Sequence, residues 1–352
     1  MSKKLRAVLC GYYGKGNGGD EALLATLLQM LPENVEPIAL TAIPKETSQR
    51  YGVKTCDRNS ALRIYQTFQS SQAFIWGGGS LIQDVTSAAS PLYYAGLMGL
   101  AQGMGLKTIA WAQGIGPLQH GTTNWLAQRC FTRCDGVSVR DEKSAALLAS
   151  WGKAGVMAPD PVWALAGQEI KDLTTRSSRS SPRIAVTLRS HPLLTPQRLQ
   201  NLTQGLINLQ KSTGATILLI PFQPKHDLSI SQAIHAQLPQ VSEILILQDP
   251  RELKGIFKGV DLAIGMRLHS LIMAAAEGCR CFALSYDPKI NQLMNELDLP
   301  GWNLADIPED AEKIAQTWLE VYQEGKFLNL LEVKELSDRA SLHQELLTTI
   351  LG

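Results

Sequence analysis

Residues 259–278, GVDLAIGMRLHSLIMAAAEG, pass from a strand pattern to a helix pattern within a few positions. GVDLAIG is a short apolar run suited to a buried parallel strand, and SLIMAAAEG is apolar at helical density. A strand-to-helix junction turns outward. Its first helical N–H groups lack intrahelical partners, so it favours anions. Arg267 adds a planar guanidinium fork for carboxylate or phosphate. His269 adds a group that holds or gives a proton near neutral pH. The junction reads as an anionic-substrate site with acid–base capacity. The alternative is a surface arginine and a histidine capping the helix.

The same alternation runs through the chain. Strand patterns occur at Leu5–Cys10, Val35–Leu40, Ala73–Trp76, Lys107–Ala112, Gly136–Val139 and Gly155–Ala158. Helical patterns include Asp20–Leu31, Thr123–Thr132 and Asp141–Trp151. Residues 167–182, GQEIKDLTTRSSRSSP, are polar and aperiodic and read as a linker. Alternation then restarts at Arg183–Leu188 and continues with Thr216–Ile220, Ile244–Leu247, Leu262–Ile264 and Cys281–Leu284. Helical patterns in this half are Pro196–Lys211, Pro250–Lys258, Pro308–Gln323 and Leu330–Leu351. Such alternation is the signature of parallel sheets wrapped by helices.

The expected class is α/β, with two doubly wound Rossmann-like domains facing a cleft. This is the architecture of the glycosyltransferase-B type, used as an analogy of form alone. Residues 1–166 form the N-terminal domain and 183–307 the C-terminal domain. The helices of 308–352 are expected to pack back on the N-terminal domain. Ligands in such sheets bind beyond the carboxyl ends of the strands.

Composition narrows the function. The 352 residues exceed one ordinary core. Hydrophobic residues at 45% and charged residues at 18% fit a globular protein. A net charge of +1 gives no global field for nucleic acid, so no such partner is expected. The six cysteines show no C-x-x-C spacing and read as buried thiols of a reducing compartment. Cys130 and Cys134 share a helical face, but no histidine stands at ligand spacing, so no metal is expected. The N-terminal apolar run is too short for a signal peptide, and glycines interrupt the apolar stretch Tyr93–Met104. The expected location is cytoplasmic, with peripheral contact at the inner face of the membrane left open, as is the oligomeric state.

Glycine-rich loops follow several strands. Gly14, Gly16 and Gly19 match G-x-G-x-x-G, but the second strand ends in Leu40-Thr41 where a dinucleotide site needs an acid. What remains is a loop feeding a helix N-terminus, with Asn17 and Asp20 at its start. Asp20 is either that helix's cap or a cap that doubles as a base, with Glu21 favouring the first-turn dipole. Gly77, Gly78 and Gly79 imply backbone close to a ligand or to another loop, with Gln83 following. Gln113 to Pro117 repeats the pattern. These first-domain loops offer Asn17, Gly16, Gly78, Gly79 and Gln83 as candidate contacts for an anion or a sugar. Tyr93 and Tyr94 are candidates for stacking on a sugar ring.

Arg140 ends GVSVR, where the plain alternative is a surface pair with Asp141. Arg189 ends IAVTLR, with His191 two residues on. Lys289 follows Tyr286-Asp287-Pro288, where Pro288 reads as a helix start. Arg140, Arg189, Arg267, His269 and Lys289 all stand at or soon after strand ends. That exceeds what a small neutral substrate needs and fits a donor with more than one negative charge. His120, His235 and His343 read as surface histidines.

GYYGKGNGGDEALL, FIWGGGSLIQD, WAQGIGP, VSVRD, PFQPKHD, MRLHSLIMAAAEG and LSYDPKI occur in this order. As a set they resemble the CsaB-like polysaccharide pyruvyl transferases, over about Leu5 to Asn291. The resemblance implies transfer of pyruvate from phosphoenolpyruvate to two hydroxyls of a sugar, as a cyclic ketal with release of phosphate. It implies an acceptor such as β-linked N-acetylmannosamine of a cell-wall or exopolysaccharide precursor, lipid-linked or polymeric. No cofactor is implied beyond phosphoenolpyruvate as co-substrate. Carried over residue by residue, the family's functional positions fall on Asp20, Arg140, Arg267, His269 and Lys289. From the chemistry of these residue types His269 is the expected general acid and Asp20 the expected base. Arg267, Arg140, Lys289, Arg189 and Leu268 are the expected donor contacts, and Asn17, Gly16, Gly78, Gly79 and Gln83 the expected acceptor side. Gly18-Gly19 departs from the family, many of whose members have alanine at one of these positions; a looser loop is expected. The rival reading is a nucleotide-sugar-dependent glycosyltransferase or epimerase of the same architecture. A non-catalytic carbohydrate- or anion-binding protein is the remaining one.

Overall fold

A computed structural model describes residues 4–85, 89–170 and 181–352. The chain divides into two compact units. Unit 1 comprises Met1–Lys15, Asp20–Leu165 and Glu335–Gly352. Unit 2 comprises Gly16–Gly19 and Ala166–Lys334.

Unit 1 holds a seven-stranded parallel sheet in the order β3-β2-β1-β4-β5-β6-β7. The strands are β1 Leu5–Cys10, β2 Val35–Thr41, β3 Lys54–Asp57, β4 Ala73–Gly79, β5 Lys107–Gln113, β6 Gly136–Val139 and β7 Val156–Met157. Helices α1 Gly18–Met30, α2 Pro44–Tyr51, α3 Ala61–Gln69, α4 Ala89–Gly103, α5 Gly121–Thr132 and α6 Glu142–Ser150 separate them. Parallel strands covered on both faces must be apolar throughout. Accordingly β4, AFIWGGG, is buried at every residue. Phe74, Trp76, Met98 and Phe131 meet in the core on the α4 and α5 side.

Unit 2 repeats the plan with six parallel strands in the order β10-β9-β8-β11-β12-β13. They are β8 Arg183–Thr187, β9 Thr216–Leu219, β10 Ser242–Ile244, β11 Leu262–Gly265, β12 Arg280–Ser285 and β13 Gly301–Asn303. Its helices are α7 Pro196–Thr213, α8 Pro224–His235, α9 Pro250–Gly255, α10 Leu268–Ala276, α11 Pro288–Leu297 and α12 Ala311–Glu324, and α13 Leu330–Ala340 passes from unit 2 into unit 1. The last helix, α14 Leu342–Leu351, lies in unit 1. In both sheets the strand order reverses beside the first strand, the place where doubly wound sheets bind ligands.

Several boundaries differ from the sequence expectation. Helix α12 packs on unit 2 instead of unit 1, because Ile314 and Trp318 close over Gly205 of α7. Residues 330–351 form two helices that meet at Ser341, and only the chain from Glu335 belongs to unit 1. Of the expected linker, residues 171–180 lie outside the described residues. Gln168 before them is tied to unit 2 through Arg251, whose carbonyl accepts its N–H at 2.9 Å. All six cysteines are buried, free thiols.

Candidate active site

In unit 2, β11 ends at Gly265 and α10 begins at Leu268, so Arg267 sits directly before the helix. The junction is fastened to β8. The Thr187 and Ser270 hydroxyls lie 2.7 Å apart, and Ser270 donates to the Arg267 carbonyl at 2.7 Å. Leu268 is the helix's first residue, so its N–H is one of those without an intrahelical partner.

The Arg267 side chain is buried. Its Nη2 donates to both oxygens of Asp227, at 2.6 and 2.8 Å, and Asp227 is fully buried on α8. Gln223 adds its Oε1 at 3.4 Å from both Nη atoms. Asp227 Oδ2 also accepts the Gln223 N–H at 2.8 Å, which fixes the start of α8. The expected open fork is corrected accordingly. Nη2 is committed to a carboxylate, while Nε is buried without a hydrogen-bond partner. A buried donor left unpaired costs about 1–3 kcal/mol. The sequence reading missed Gln223 and Asp227 as partners of Arg267, although both lie in PFQPKHD, a stretch it quoted.

His269 is half-buried. Its ring lies against Gly19, close enough that a methyl group there would overlap Nδ1. Beside it, the Gly18 N–H donates to the Phe222 carbonyl at 2.7 Å, and a Cβ on Gly18 would stand 2.6 Å from Leu253 Cδ1. The two glycines therefore allow a close approach within unit 2. The expected loosening is corrected.

Arg189 and Lys289 follow β8 and β12, the neighbours of β11. Arg189 Nη1 donates to the Tyr286 hydroxyl at 2.7 Å, and its guanidinium lies 4.9 Å from the Tyr286 ring centre. His191 packs on the same ring, with centres 4.8 Å apart. Burial and the Arg189 charge hold the His191 imidazole below its ordinary pKa, against the pull of Asp287. Asp287 caps α11 by accepting the Lys289 N–H at 2.9 Å, and Pro288 opens that helix as expected. The structure thus places Arg189, Arg267, Leu268, His269 and Lys289 at the carboxyl ends of three adjacent strands.

In unit 1, Arg140 also departs from expectation. Its Nη1 pairs with Asp160 at 2.5 Å, with both side chains buried, and Nη2 donates to Ser80 Oγ at 3.3 Å. Asp141 instead caps α6 by accepting the Ser144 N–H at 2.7 Å. A surface Arg140–Asp141 pair is excluded by that division of roles.

Asn17 takes the capping role at α1, because its Oδ1 accepts the Gly19 N–H at 3.1 Å. Asp20 is therefore inside the helix rather than its cap, and it approaches the β4 loop, where a Cβ on Gly79 would stand 3.5 Å from its Oδ1. Glu21 is buried and accepts the Gly14 N–H at 2.8 Å, so it braces the glycine loop. Gly16 groups with Asn17 in unit 2. Gly78 and Gly79 have φ of 84° and 90°, in the left-handed region. The glycine run is explained by protein neighbours. Tyr13 donates to the Gly77 carbonyl at 2.8 Å, and its hydroxyl occupies the space a Gly77 Cβ would need. Gln83 Oε1 accepts the Val85 N–H at 3.1 Å.

Tyr94 is buried, and both Tyr93 and Tyr94 face Arg58, at 5.0 and 5.7 Å from its guanidinium. These rings stack on a cation of the protein rather than standing open to a sugar. Arg58, which also donates to the Gly11 carbonyl at 2.9 Å, was not identified from sequence.

His343 is fully buried, contrary to the surface assignment. Its Nε2 lies 2.9 Å from the Pro159 carbonyl, and its Nδ1 lies 2.9 Å from Ser138 Oγ. A carbonyl can only accept, so Nε2 carries the proton and Nδ1 accepts from Ser138. Burial holds its pKa down to about 4, helped by Arg140 and opposed by the Pro159 bond and Asp160.

Two units, each a parallel Rossmann-like sheet, define a class shared with known enzymes. UDP-GlcNAc 2-epimerase from Methanocaldococcus jannaschii has a TM-score of 0.66 at 9% identity, over 98% of this chain and 99% of that one. UDP-GlcNAc 2-epimerase from Neisseria meningitidis, solved with UDP-GlcNAc, has 0.64 at 11%, over 98% and 100%. Acinetobacter baumannii MurG has 0.52 at 13%, over 98% and 99%. The fold is that of the glycosyltransferase-B enzymes and related epimerases. No curated protein matches the chain in sequence. Within this class the chain belongs to the polysaccharide pyruvyl transferase family, whose model matches residues 17–288.

Proposed function

We propose that the protein transfers pyruvate from phosphoenolpyruvate to a sugar, such as β-linked N-acetylmannosamine of a cell-wall or exopolysaccharide precursor, as a cyclic ketal. The observation that carries this reading is the junction before α10. Arg267 there has a buried, unpartnered Nε, and His269 follows it in the helix's first turn.

Phosphoenolpyruvate bears a carboxylate and a phosphate. Helix N–H groups and guanidinium donors suit both. Arg267 offers Nε while Asp227 holds Nη2 and Gln223 stands against both Nη atoms. Arg189, Arg140 and Lys289 complete the proposed charge, and Leu268 supplies backbone N–H. In the proposed reaction His269 gives a proton to the methylene carbon, and cation character develops at C2. A sugar hydroxyl attacks C2 and yields its proton to Asp20. The C2–O bond to phosphate breaks, and the second hydroxyl closes the ring as its proton leaves with phosphate. Asn17, Gly16, Gly78, Gly79 and Gln83 are the proposed acceptor side.

The test is incubation with phosphoenolpyruvate and an aryl-tagged β-N-acetylmannosaminyl acceptor, following phosphate release and product mass together. Phosphate release with the mass gain of a pyruvate ketal is expected. Absence of both product and donor binding, with binding of a UDP-sugar, would replace this reading by a nucleotide-sugar enzyme of the kind the UDP-GlcNAc 2-epimerases represent.

A further inference from the structure

We infer that unit 1 carries a docking face for an anionic lipid surface, formed by the outer sides of α4 and α5. The inference is independent of the transfer reaction. It begins with a charge asymmetry that the net charge of +1 conceals. From Arg58 to Cys134 the basic residues are Arg58, Arg63, Lys107, Arg129 and Arg133, and Asp84 is the sole carboxylate. Asp84 is buried, and its oxygens accept the Gln119 and His120 N–H groups at 2.8 and 2.9 Å. The surface built by this segment therefore shows no side-chain carboxylate.

Helix α4, ASPLYYAGLMGLAQG, carries no charged residue at all. Its inner side buries Tyr94, Leu97, Met98 and Ala101. Its outer side exposes Leu92, at 65%, and Leu100, with Gly96, Gly99 and Gly103 between and beyond them. A helix facing water normally carries polar or charged residues on that side. Helix α5 packs beside α4. Gln102 donates to the Cys130 carbonyl at 3.0 Å, and Cys130 Sγ donates to the Ala95 carbonyl at 3.7 Å.

The outward stripe of α5 is Trp125 and Arg129, one turn apart, continued by the exposed Arg133 directly after the helix. Trp125 is 60% exposed, and the Arg129 guanidinium lies 5.8 Å from its ring centre. Tryptophan suits the boundary between headgroups and acyl chains, and arginine suits lipid phosphates. No helix among the described residues is long and apolar enough to cross a membrane, so the contact fitted here is interfacial. A second copy of the chain is the other candidate occupant. Two such faces together would bring the Arg129 and Arg133 stripes against each other, which charge disfavours.

The test is co-sedimentation with vesicles of phosphatidylglycerol and phosphatidylethanolamine, against vesicles of phosphatidylcholine alone. The full chain is expected to sediment with the anionic vesicles and to be released by salt. Arg129→Gln and Arg133→Gln should each lower partitioning about fivefold. Leu92→Glu with Trp125→Glu should abolish it, with the far-UV thermal transition retained. Equal binding to both vesicle types, no binding, or binding unchanged in these variants overturns the inference. So does a wild-type dimer that Trp125→Glu converts to monomer without any vesicle binding. No donor or acceptor enters this assay, so its failure leaves the transfer reading intact.

Discussion

At the residue scale, the pair Arg267–Asp227 decides what the junction before α10 can do. A carboxylate inside the unit holds the guanidinium in one orientation, with Nη2 between the two Asp227 oxygens at 2.6 and 2.8 Å. Asp227 thus acts through Arg267 and positions it. Asp227→Asn leaves a buried arginine without its counter-charge, and breaking such a pair costs about 3–5 kcal/mol. Asp227→Asn is therefore expected to lower the urea midpoint and, with transfer assayed well below that midpoint, to raise the phosphoenolpyruvate KM more than it lowers kcat. An unchanged KM would separate Arg267 from the donor. The arginine was legible in the sequence because it stands at a strand end beside a helix start. Its partner was not, because the contact spans forty positions and nothing local links PFQPKHD to MRLHS. The same limit hid Asp160 behind Arg140 and placed His343 on the surface. Periodicity reports which side of an element is apolar, and a buried polar side chain satisfied by distant partners leaves no local mark.

At the element scale, the alternation identified both parallel sheets, but the edge strands β3, KTCD, and β13, GWN, were not expected, because neither is an apolar run. The start of α1 is more instructive. Its glycines look like a flexible loop on sequence alone, whereas the structure uses them for proximity. Gly18 sits under Phe222 and Leu253, and Gly19 lies against the His269 ring. At Gly19 the overlap with Nδ1 can be relieved only by moving the imidazole or the helix start. Alanine is otherwise the better helix residue, by about 1 kcal/mol. Gly19→Ala is thus expected to leave the thermal midpoint nearly unchanged while cutting turnover by tenfold or more, about 1.4 kcal/mol of barrier. Thermal denaturation and single-substrate kinetics on one preparation measure both. Full activity with alanine in place would show that the position of His269 does not matter to the reaction. A large loss of stability would show that the helix start, rather than the ring, absorbs the methyl group.

At the scale of the whole molecule, the chain leaves unit 1 at Leu165 and returns to it at Glu335, so unit 1 is completed only by its C-terminal end. The return is held by contacts of α14. Ile350 and Leu346 fill the space above Gly136, the Trp111 indole donates to the His343 carbonyl at 3.2 Å, and the His343 ring spans Ser138 and Pro159. That ring is neutral in the fold. Its pKa is depressed from 6.5 to about 4, so the unfolded chain binds this proton more readily than the folded one. The stabilisation is complete above the unfolded value and is lost as pH falls from 6.5 toward 4, below which both states are protonated. Between about pH 7.5 and about pH 5 the linkage is worth about 2 kcal/mol. Carboxylates also titrate near the lower end, so the wild-type slope alone does not isolate the histidine. His343→Gln does. Its amide can accept from Ser138 and donate to Pro159 without taking up a proton. Urea midpoints of the two proteins should agree near neutrality and separate on acidification, with the glutamine variant more stable by about that amount. Parallel pH profiles would mean that the histidine ring is released from its site, or solvated in it, before it is protonated.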